Sequence, residues 1–491
     1  MEKEKVVKQR RRKVLKRIII SVSVLIILIV AIPGLLLWLS RDYLVWNSNP
    51  RPDIAPIMVN AADMTGYGAD ALYLVQMAEQ VHPIFIIENR LPDDYVAVRN
   101  EFLEVAQNVT TRQEFVLAAY RYIMTLQDGH ISGFNLFGGL HGGGMTSGLL
   151  DIQWEVQNGR LWLVDNNGHT NIEVVQIGGI PPAQIFAVTD AHIFAENEVY
   201  RIWNHALYAR YGTMIKVAGG EISNDQVILT ISENGEISTM EAELEALDIR
   251  TEPFSVSAIA ATYDYIVRHE MLYDDIFFID LRLLYLDDSI EETARYIEQA
   301  IEKGVQKFVI DLRGNIGGDS RAGLMLLEAM GISVPSSGLV RRLSPLMVEV
   351  ATEHNLISPL NARVIIPFFS AFADGVIESR PNPDTASNIN NVFVVVLTDN
   401  NTYSSAMMMA YWIQDGNFGN IVGAPSRNAP TSFGEMLPFV LPYSGLEAMI
   451  SHTLFLRPDT TANQSIVLPD ILVDPADALD VALEYLRNRT N

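Results

Sequence analysis

The chain has 491 residues, 49% of them hydrophobic and 19% charged, which is enough for two or three domains with buried cores. It contains no cysteine, so disulfides, thiolate metal sites and cysteine catalysis are excluded. Residues 1–17 hold nine Lys or Arg and two Glu, a net of +7, and the rest carries −31. A body this acidic repels phosphate groups, and we expect no nucleic acid partner.

An uncharged apolar run at residues 18–39 follows the basic tail 1–17. Roughly 20 apolar residues span a bilayer as a helix, and a basic flank keeps its own side in the cytoplasm. We therefore predict a single-pass anchor in the cell membrane, with an extracytoplasmic C-terminal body. The alternative is a cleaved signal peptide, which usually has a shorter apolar region and a small-residue cleavage site.

The first elements after the anchor are predicted to be a linker and a helical unit. Residues 40–66 are rich in Pro and Asn and lack an apolar period, as in a tether. Residues 67–128 carry apolar residues at helical spacing and form the predicted helical N-terminal domain. Within it, Thr111 followed by Glu114 is the pattern of a capping box.

Residues 129–250 are predicted to be rich in β-strands. Its first residues, 129–150, contain eight glycines. We interpret this stretch as a turn between strands, since no phosphate-loop pattern is present. The rest alternates apolar and polar residues, and Asn234-Gly235 is a hairpin signal. Residues 251–491 alternate strands and helices, which predicts an α/β domain with a parallel sheet.

Two turns in this last part carry candidate chemistry. In "FVIDLRGNIGGDS", 308–320, a buried strand leads through a glycine-rich turn into a helix, and exposed N–H groups there could bind an oxyanion. The alternative is an ordinary strand-to-helix turn. In "VFVVVLTDNNTYSSAMMM", 392–409, Ser404 lies where a helix begins. It is either a nucleophile at the helix tip or, like Thr402, an N-cap.

In combination these stretches resemble the tail-specific, or C-terminal processing, serine peptidases, including their tricorn-like branch. The most specific match is to the family's D-L-R-G-N-x-G-G signature. The matching segments, in the family's order, are "LQDGHISGF", "VIDLRGNIGG", "TYSSAM", "IVGAPS" and "VLPDILV".

The resemblance implies an α/β fold with a ClpP/crotonase-like core of ββα units in residues 251–491. It adds a PDZ domain where this chain has its β-rich middle segment, and "VVQIGGIPP" is similar to a strand and turn of such a module. The predicted architecture therefore consists of the transmembrane helix, the helical N-terminal domain, the PDZ-like middle segment and this core. The partner it implies is a peptide or protein substrate, and it implies no cofactor.

The resemblance also implies roles for individual residues. Ser404 would be the nucleophile, and the N–H of Ser405 would form the oxyanion hole with Gly317 or Gly318. Ala429 stands where the processing branch has its lysine, so the base is expected to be His130, as in the tricorn-like branch. Weaker candidates for the base are His82 and His141.

The third catalytic residue is less well defined by the resemblance. The glutamate position of the tricorn-like branch falls near Asn463, whose amide could orient an imidazole. Glu435 is the alternative acid. The histidines include no H-E-x-x-H pair and the carboxylates are dispersed, so we predict no metal site.

The sequence therefore predicts a membrane-anchored serine endopeptidase. One alternative is a catalytically degenerate relative that acts as a tethered peptide-binding or scaffold protein, because Ala429, Met407 and Asn463 replace family residues. A second alternative is a crotonase-type acyl-transfer enzyme, which the extracytoplasmic location disfavours because it would need an acyl-CoA.

Overall fold

The computed structural model describes residues 54–55, 57–58, 63–87, 89–131, 148–165, 168–245, 259–354, 356 and 375–489. The predicted anchor 18–39, the basic tail 1–17, His141 and most of the glycine-rich run lie outside these ranges. Every helix within them falls short of the length and apolar character that crossing a bilayer requires.

The N-terminal unit consists of helices that pack through their apolar faces. The α-helices are α1 (Tyr67–Val81), α2 (Tyr95–Asn108) and α3 (Arg112–Ile123), and 3₁₀ turns follow at Pro83–Ile86 and Met124–Leu126. The predicted capping box of α3 is confirmed. The Glu114 N–H donates to Thr111 Oγ1 at 3.3 Å, and the Thr111 N–H donates to Glu114 Oε2 at 3.2 Å.

The middle segment is an antiparallel sheet with helices between its strands. Its elements in chain order are β1 (Leu149–Leu150), β2 (Trp154–Gln157), β3 (Arg160–Asp165), β4 (Gly168–Ile177), α4 (Pro182–His192), α5 (Glu198–Tyr208), α6 (Gly212–Val217), β5 (Gln226–Glu233) and β6 (Glu236–Glu245). The sheet order is β1-β6-β5-β4-β3-β2. Asn234 and Gly235 have φ of 52° and 88°, which confirms the predicted Asn-Gly hairpin.

The C-terminal part is built on a mostly parallel sheet. Its strands are β7 (Val267–Leu272), β8 (Ile276–Leu281), β9 (Lys307–Asp311), β14 (Phe393–Thr398), β15 (Gly419–Gly423) and β18 (Ile471–Leu472). The order is β18-β15-β14-β9-β8-β7, and the pair β7–β8 is antiparallel while the remaining pairs are parallel. The predicted parallel α/β sheet is therefore confirmed.

Helices cover both faces of this sheet, because the strand side chains alternate between the two faces. Phe308 and Ile310 share one core with α7 (Asp288–Glu302), α8 (Ser320–Ala329) and α10 (Ser405–Asp415). Val309, between them, packs on the opposite face with α11 (Ala478–Asn488).

An antiparallel sheet connects the C-terminal part to the N-terminal helices. It consists of β11 (Gly338–Arg342), β12 (Val376–Ser379), β16 (Ser432–Val440) and β17 (Glu447–Leu456) in the order β12-β11-β17-β16, and a short pair, β10 (Ile332–Ser333) with β13 (Ser387–Asn388), lies apart. Phe433 and Ile450 of this sheet share one hydrophobic core with Leu74 of α1, so packing crosses the predicted border between the helical and C-terminal segments. The remaining elements are α9 (Pro345–Glu353) and the 3₁₀ turn Pro383–Thr385.

Candidate active site

Ser404 lies at the end of the turn that joins β14 to α10. Asp399 holds this turn, since its Oδ1 accepts the N–H groups of Asn401 and Thr402, both at 2.9 Å. Ser404 has φ 50° and ψ −125°, a left-handed backbone that costs a non-glycine residue about 1–3 kcal/mol. Its hydroxyl forms no capping bond with α10, so the alternative role as an N-cap is not the one the structure shows.

The Ser404 hydroxyl instead meets an imidazole from the turn that follows the N-terminal helices. His130 Nε2 lies 3.1 Å from Ser404 Oγ, although the two residues are 274 positions apart. His130 is buried, and its ring also packs on Tyr403, with ring centroids 4.9 Å apart. The structure therefore brings together the two groups that the sequence predicts as base and nucleophile.

A buried carboxylate fixes the backbone of His130. Asp128 Oδ1 accepts the His130 N–H at 2.8 Å, and Oδ2 pairs with His82 Nε2 at 3.0 Å. Because His82 Nδ1 accepts the N–H of Ile84, Nε2 carries the proton that binds Asp128. His82 thus supports the site through Asp128 and does not contact Ser404.

The surroundings of His130 keep its imidazole neutral near pH 7. Burial lowers the pKa of His130 below its ordinary value, the Asp128 carboxylate opposes this effect, and the charge of Arg427 adds to it. A neutral imidazole can accept a proton from a hydroxyl, which is the property that a general base requires.

The glycine-rich turn after β9 lies directly against the serine. A Cβ on Gly317 would lie 2.7 Å from the Ser404 Cβ, and Gly317 has φ 99°, so glycine is required there. The Gly317 N–H, however, donates to the buried Asn315 Oδ1 at 2.9 Å. This corrects the prediction of Gly317 as an oxyanion donor, because its N–H is already occupied.

Two other N–H groups remain as donors at this point. In the part of the chain that the structure describes, those of Gly318 and Ser405 have no acceptor, and Ser405 Oγ donates to the Gly318 carbonyl at 2.8 Å. The Ser404 N–H donates to Asn428 Oδ1 at 2.9 Å and is therefore engaged. Gly318 and Ser405 are thus the predicted oxyanion donors that the geometry leaves available.

The residues predicted for the third catalytic position lie elsewhere. The Glu435 carboxylate accepts from Thr453 Oγ1 at 2.6 Å and pairs with Arg341. Asn463 is exposed, and its Oδ1 accepts from the N–H and hydroxyl of Ser465, both at 2.9 Å. The prediction of Glu435 is corrected, because its charge is compensated by Arg341 and no contact joins it to His130 among the described residues.

A residue that the sequence did not mark lies closer to the imidazole. Glu196 precedes α5, and its Oε2 accepts the Ala429 N–H at 2.6 Å. One carboxylate oxygen of Glu196, one of Asp128 and one imidazole nitrogen of His130 lie within 4.8 Å of one another. Glu196 stands in "FAENEVY", where a glutamate before an Asn N-cap is typical of an ordinary helix start, so no local signal distinguishes it.

Asp128, His130 and Glu196 are residues of the types that bind metal ions, but most of their ligand atoms already have hydrogen-bond partners. Both oxygens of Asp128 are already hydrogen bonded, to the His130 N–H and to His82, and Glu196 Oε2 already accepts the Ala429 N–H. Ser404 takes up His130 Nε2. We therefore assign no metal to these residues.

Comparison with known proteins supports a peptidase. Residues 281–473 match the family model described as Peptidase family S41. Among curated proteins, none matches the chain in sequence.

The fold is similar to that of mature CPAF in two solved structures. The structure of mature CPAF complexed with lactacystin is 14% identical and has a TM-score of 0.56, covering 86% of this chain and 97% of that one. The crystal structure of mature CPAF gives 14% identity, coverages of 86% and 95%, and a TM-score of 0.53. At this identity the likeness concerns the mixed α/β fold alone.

Proposed function

Because residues 281–473 match the model of this family, the chain belongs to the tail-specific S41 peptidases, and from this premise we propose that it is a serine endopeptidase acting by acyl transfer. The observation that carries the proposal is the 3.1 Å separation of His130 Nε2 from Ser404 Oγ. We take the architecture to be the family's ClpP/crotonase-like core with a PDZ-like middle segment.

The proposed reaction uses groups of this chain alone. Ser404 Oγ attacks the peptide carbonyl carbon while His130 Nε2 takes the hydroxyl proton. The N–H groups of Gly318 and Ser405 donate to the oxyanion of the tetrahedral intermediate. His130 then returns the proton to the leaving amine, the C–N bond breaks, and water releases the acyl group from Ser404 by the same steps.

The test is covalent labelling of the full chain with a fluorophosphonate probe. Wild type is expected to be labelled, Ser404→Ala to lose the label, and His130→Gln to slow labelling about 100-fold or more, because the base is absent. Ser238→Ala removes an exposed hydroxyl on β6 and serves as the matched control that retains labelling. Absence of labelling in folded wild type would favour the degenerate, peptide-binding relative.

We further propose that the body is tethered to the cell membrane through residues 18–39 and lies outside the cytoplasm. The support is the apolar run flanked by nine basic residues and two glutamates in residues 1–17. Protease added to intact cells is expected to digest the body. A body that is protected until the cells are lysed would contradict this orientation.

A further inference from the structure

The His130 imidazole has one nitrogen in use and one without a partner. Nε2 faces Ser404, whereas Nδ1 is buried without a hydrogen-bond partner among the described residues. An imidazole that accepts a proton on Nε2 becomes positively charged, and a nearby carboxylate stabilises that charge and holds the ring. The residues predicted for this position, Glu435 and Asn463, are engaged elsewhere.

Two carboxylates lie near the ring, and their existing bonds separate their roles. Asp128 uses Oδ1 for the His130 N–H and Oδ2 for His82. Glu196 Oε2 accepts the backbone N–H of Ala429 at 2.6 Å. No ion pair to Glu196 is found in the described ranges, and the charge of Arg90 acts on it only at longer range.

The packing around Glu196 keeps its carboxylate against the residue that precedes His130. A Cβ on Gly129 would lie 2.8 Å from Tyr200 Cε1 and 3.0 Å from Glu196 Cδ, so only glycine allows this approach. Tyr200 donates its hydroxyl to the Gly129 carbonyl at 3.0 Å. The segment that carries Glu196 is therefore packed onto the backbone of the base.

We propose that Glu196 is the positioning residue of the Ser404–His130 pair, and that it supplies the negative charge that stabilises the protonated His130. It takes the role for which this chain has Asn463 in place of an acid. The proposal rests on the proposed function, and it assigns the third member to the middle segment instead of the C-terminal core.

The ionisation of Glu196 gives the proposal a measurable signature. Burial raises the pKa of Glu196 to about 8; its bond to the Ala429 N–H, the nearby Gly129 N–H and the charge of Arg90 lower it, and the charge of Asp128 raises it. The carboxyl becomes charged only as the pH rises through this value, so labelling should accelerate there. The titratable and charged groups that surround it are Arg90, Asp128, His82, His130, Tyr200, Tyr403 and Arg427.

The first experiment measures the rate constant of fluorophosphonate labelling between pH 5.5 and 9.5. Wild type is expected to rise through about pH 8, the pKa of Glu196. Glu196→Gln is expected to be about 100-fold slower above that pH and to lose the rise, because its amide cannot ionise. If Glu196 had only a structural role, Glu196→Gln would lower the labelling rate without changing its dependence on pH.

Two matched variants decide the assignment. Glu198→Gln, an exposed glutamate two positions away that pairs with Arg201, is expected to keep the wild-type rate and profile. If Asp128→Asn abolishes the rise through pH 8 while Glu196→Gln retains it, Asp128 holds the role and the proposal is overturned. Equal profiles for wild type and Glu196→Gln overturn it as well.

A second measurement needs no activity and separates this inference from the proposed function. In the full chain with ¹³C-labelled histidine, the His130 ring signal, identified by its loss in His130→Gln, should shift as Glu196 ionises near pH 8. Glu196→Gln should lose that step, and a step that persists refutes the assignment. If wild type does not react with the fluorophosphonate but its His130 signal shifts near pH 8, the proposed peptidase activity alone is contradicted. If wild type reacts with the probe but its His130 signal does not shift, only the role proposed for Glu196 is contradicted.

Discussion

Gly317 shows how a missing side chain shapes the site. Its backbone lies so close to the nucleophile that an added Cβ would be 2.8 Å from the Tyr403 carbonyl oxygen and 2.9 Å from the Ser405 nitrogen. Asn315 closes the turn by accepting the Gly317 N–H, and this leaves the next N–H, that of Gly318, free to point at a developing charge. Glycine is therefore required in this turn because of the limited space beside Ser404, as well as for the chemistry of the N–H groups.

Gly317→Ala is expected to reduce the labelling rate at least about 100-fold, because displacement of Ser404 or of the Ser405 N–H costs oxyanion stabilisation. Gly314→Ala is the matched control. Gly314 also has a positive φ, 75°, but an added Cβ would meet nothing within 4 Å. Both variants carry the same left-handed strain of about 1–2 kcal/mol, measured by thermal unfolding, and only Gly317→Ala should lose labelling. Similar rates in the two variants would contradict the steric account.

His82 links the site to stability in acid. Burial lowers the pKa of His82, and the bond with Asp128 only partly opposes it. At pH values below the ordinary pKa of about 6.5 the unfolded chain binds a proton that the folded chain refuses, so stability is full above that pH and falls below it.

His82→Gln is expected to lessen this acid sensitivity, because the amide can still donate to Asp128 but does not titrate. The slope of the unfolding free energy between pH 6 and 5 should fall by up to about 1.4 kcal/mol per pH unit. The measurement is denaturant unfolding at several pH values. His192, His269 and His452 also have lowered pKa values, so part of the wild-type slope should remain. An unchanged slope would show that His82 titrates normally.

Two parallel strands explain why distant motifs meet. β9 and β14 are neighbours, and Asp311 pairs in register with Leu397 at their carboxyl ends. The turns that follow, one glycine-rich and one with Ser404, therefore leave the same edge of the sheet. The sequence predicts this much, because buried strands followed by glycine and serine turns imply parallel β-α units.

Helix α7, which covers this sheet, depends on a cap that can be tested alone. Asp287 Oδ1 accepts the N–H groups of Ser289 and Ile290 at 3.0 and 3.2 Å. Asp287→Ala is expected to lower the free energy of unfolding by about 1 kcal/mol without changing the labelling rate. Asp288→Ala removes the same charge one position further on and should cost about 0.3–1 kcal/mol at most. Equal losses would mean that charge, and not capping, stabilises the helix start.

In the molecule as a whole, α5 joins the middle segment to the candidate active site. Asn197 Oδ1 caps this helix by accepting the Tyr200 N–H at 2.9 Å, while Nδ2 donates to the carbonyls of Arg427 and Ser465 at 2.9 and 2.8 Å. Further along the helix, Trp203 Nε1 donates to Asn401 Oδ1 at 3.0 Å, and the Arg427 guanidinium lies 4.1 Å from the Trp203 ring.

Asn197→Asp separates these two functions. The carboxylate keeps the cap, but it cannot donate to the two carbonyls and is repelled by them. We expect an unchanged far-UV circular dichroism spectrum and a labelling rate lowered about tenfold, since Glu196 loses its anchor. Asn234→Asp, in the exposed β5–β6 turn, is the control for the added charge and should label normally. A wild-type rate for Asn197→Asp would show that docking does not govern the site.

The sequence does not predict this docking of the middle segment. Ser404 and His130 lie in segments that resemble family motifs, and it is this resemblance that predicts their meeting. Glu196 lies in no motif, and its position depends on how the α4–α5 connection packs on Gly129, which is a tertiary property. Glu435 is assigned wrongly for a related reason, since its positive φ, 53°, and its pairing with Arg341, which lies across β17 in the same sheet, cannot be read from "TSFGEMLPF".

The separation of His130 and Ser404 along the chain has a consequence for synthesis. On the ribosome the imidazole emerges first, Glu196 next and the hydroxyl last, so a growing polypeptide holds no working pair until most of it has been translated. The proposed site can therefore assemble only after β14 and the start of α10 have been translated, late in the synthesis of the chain.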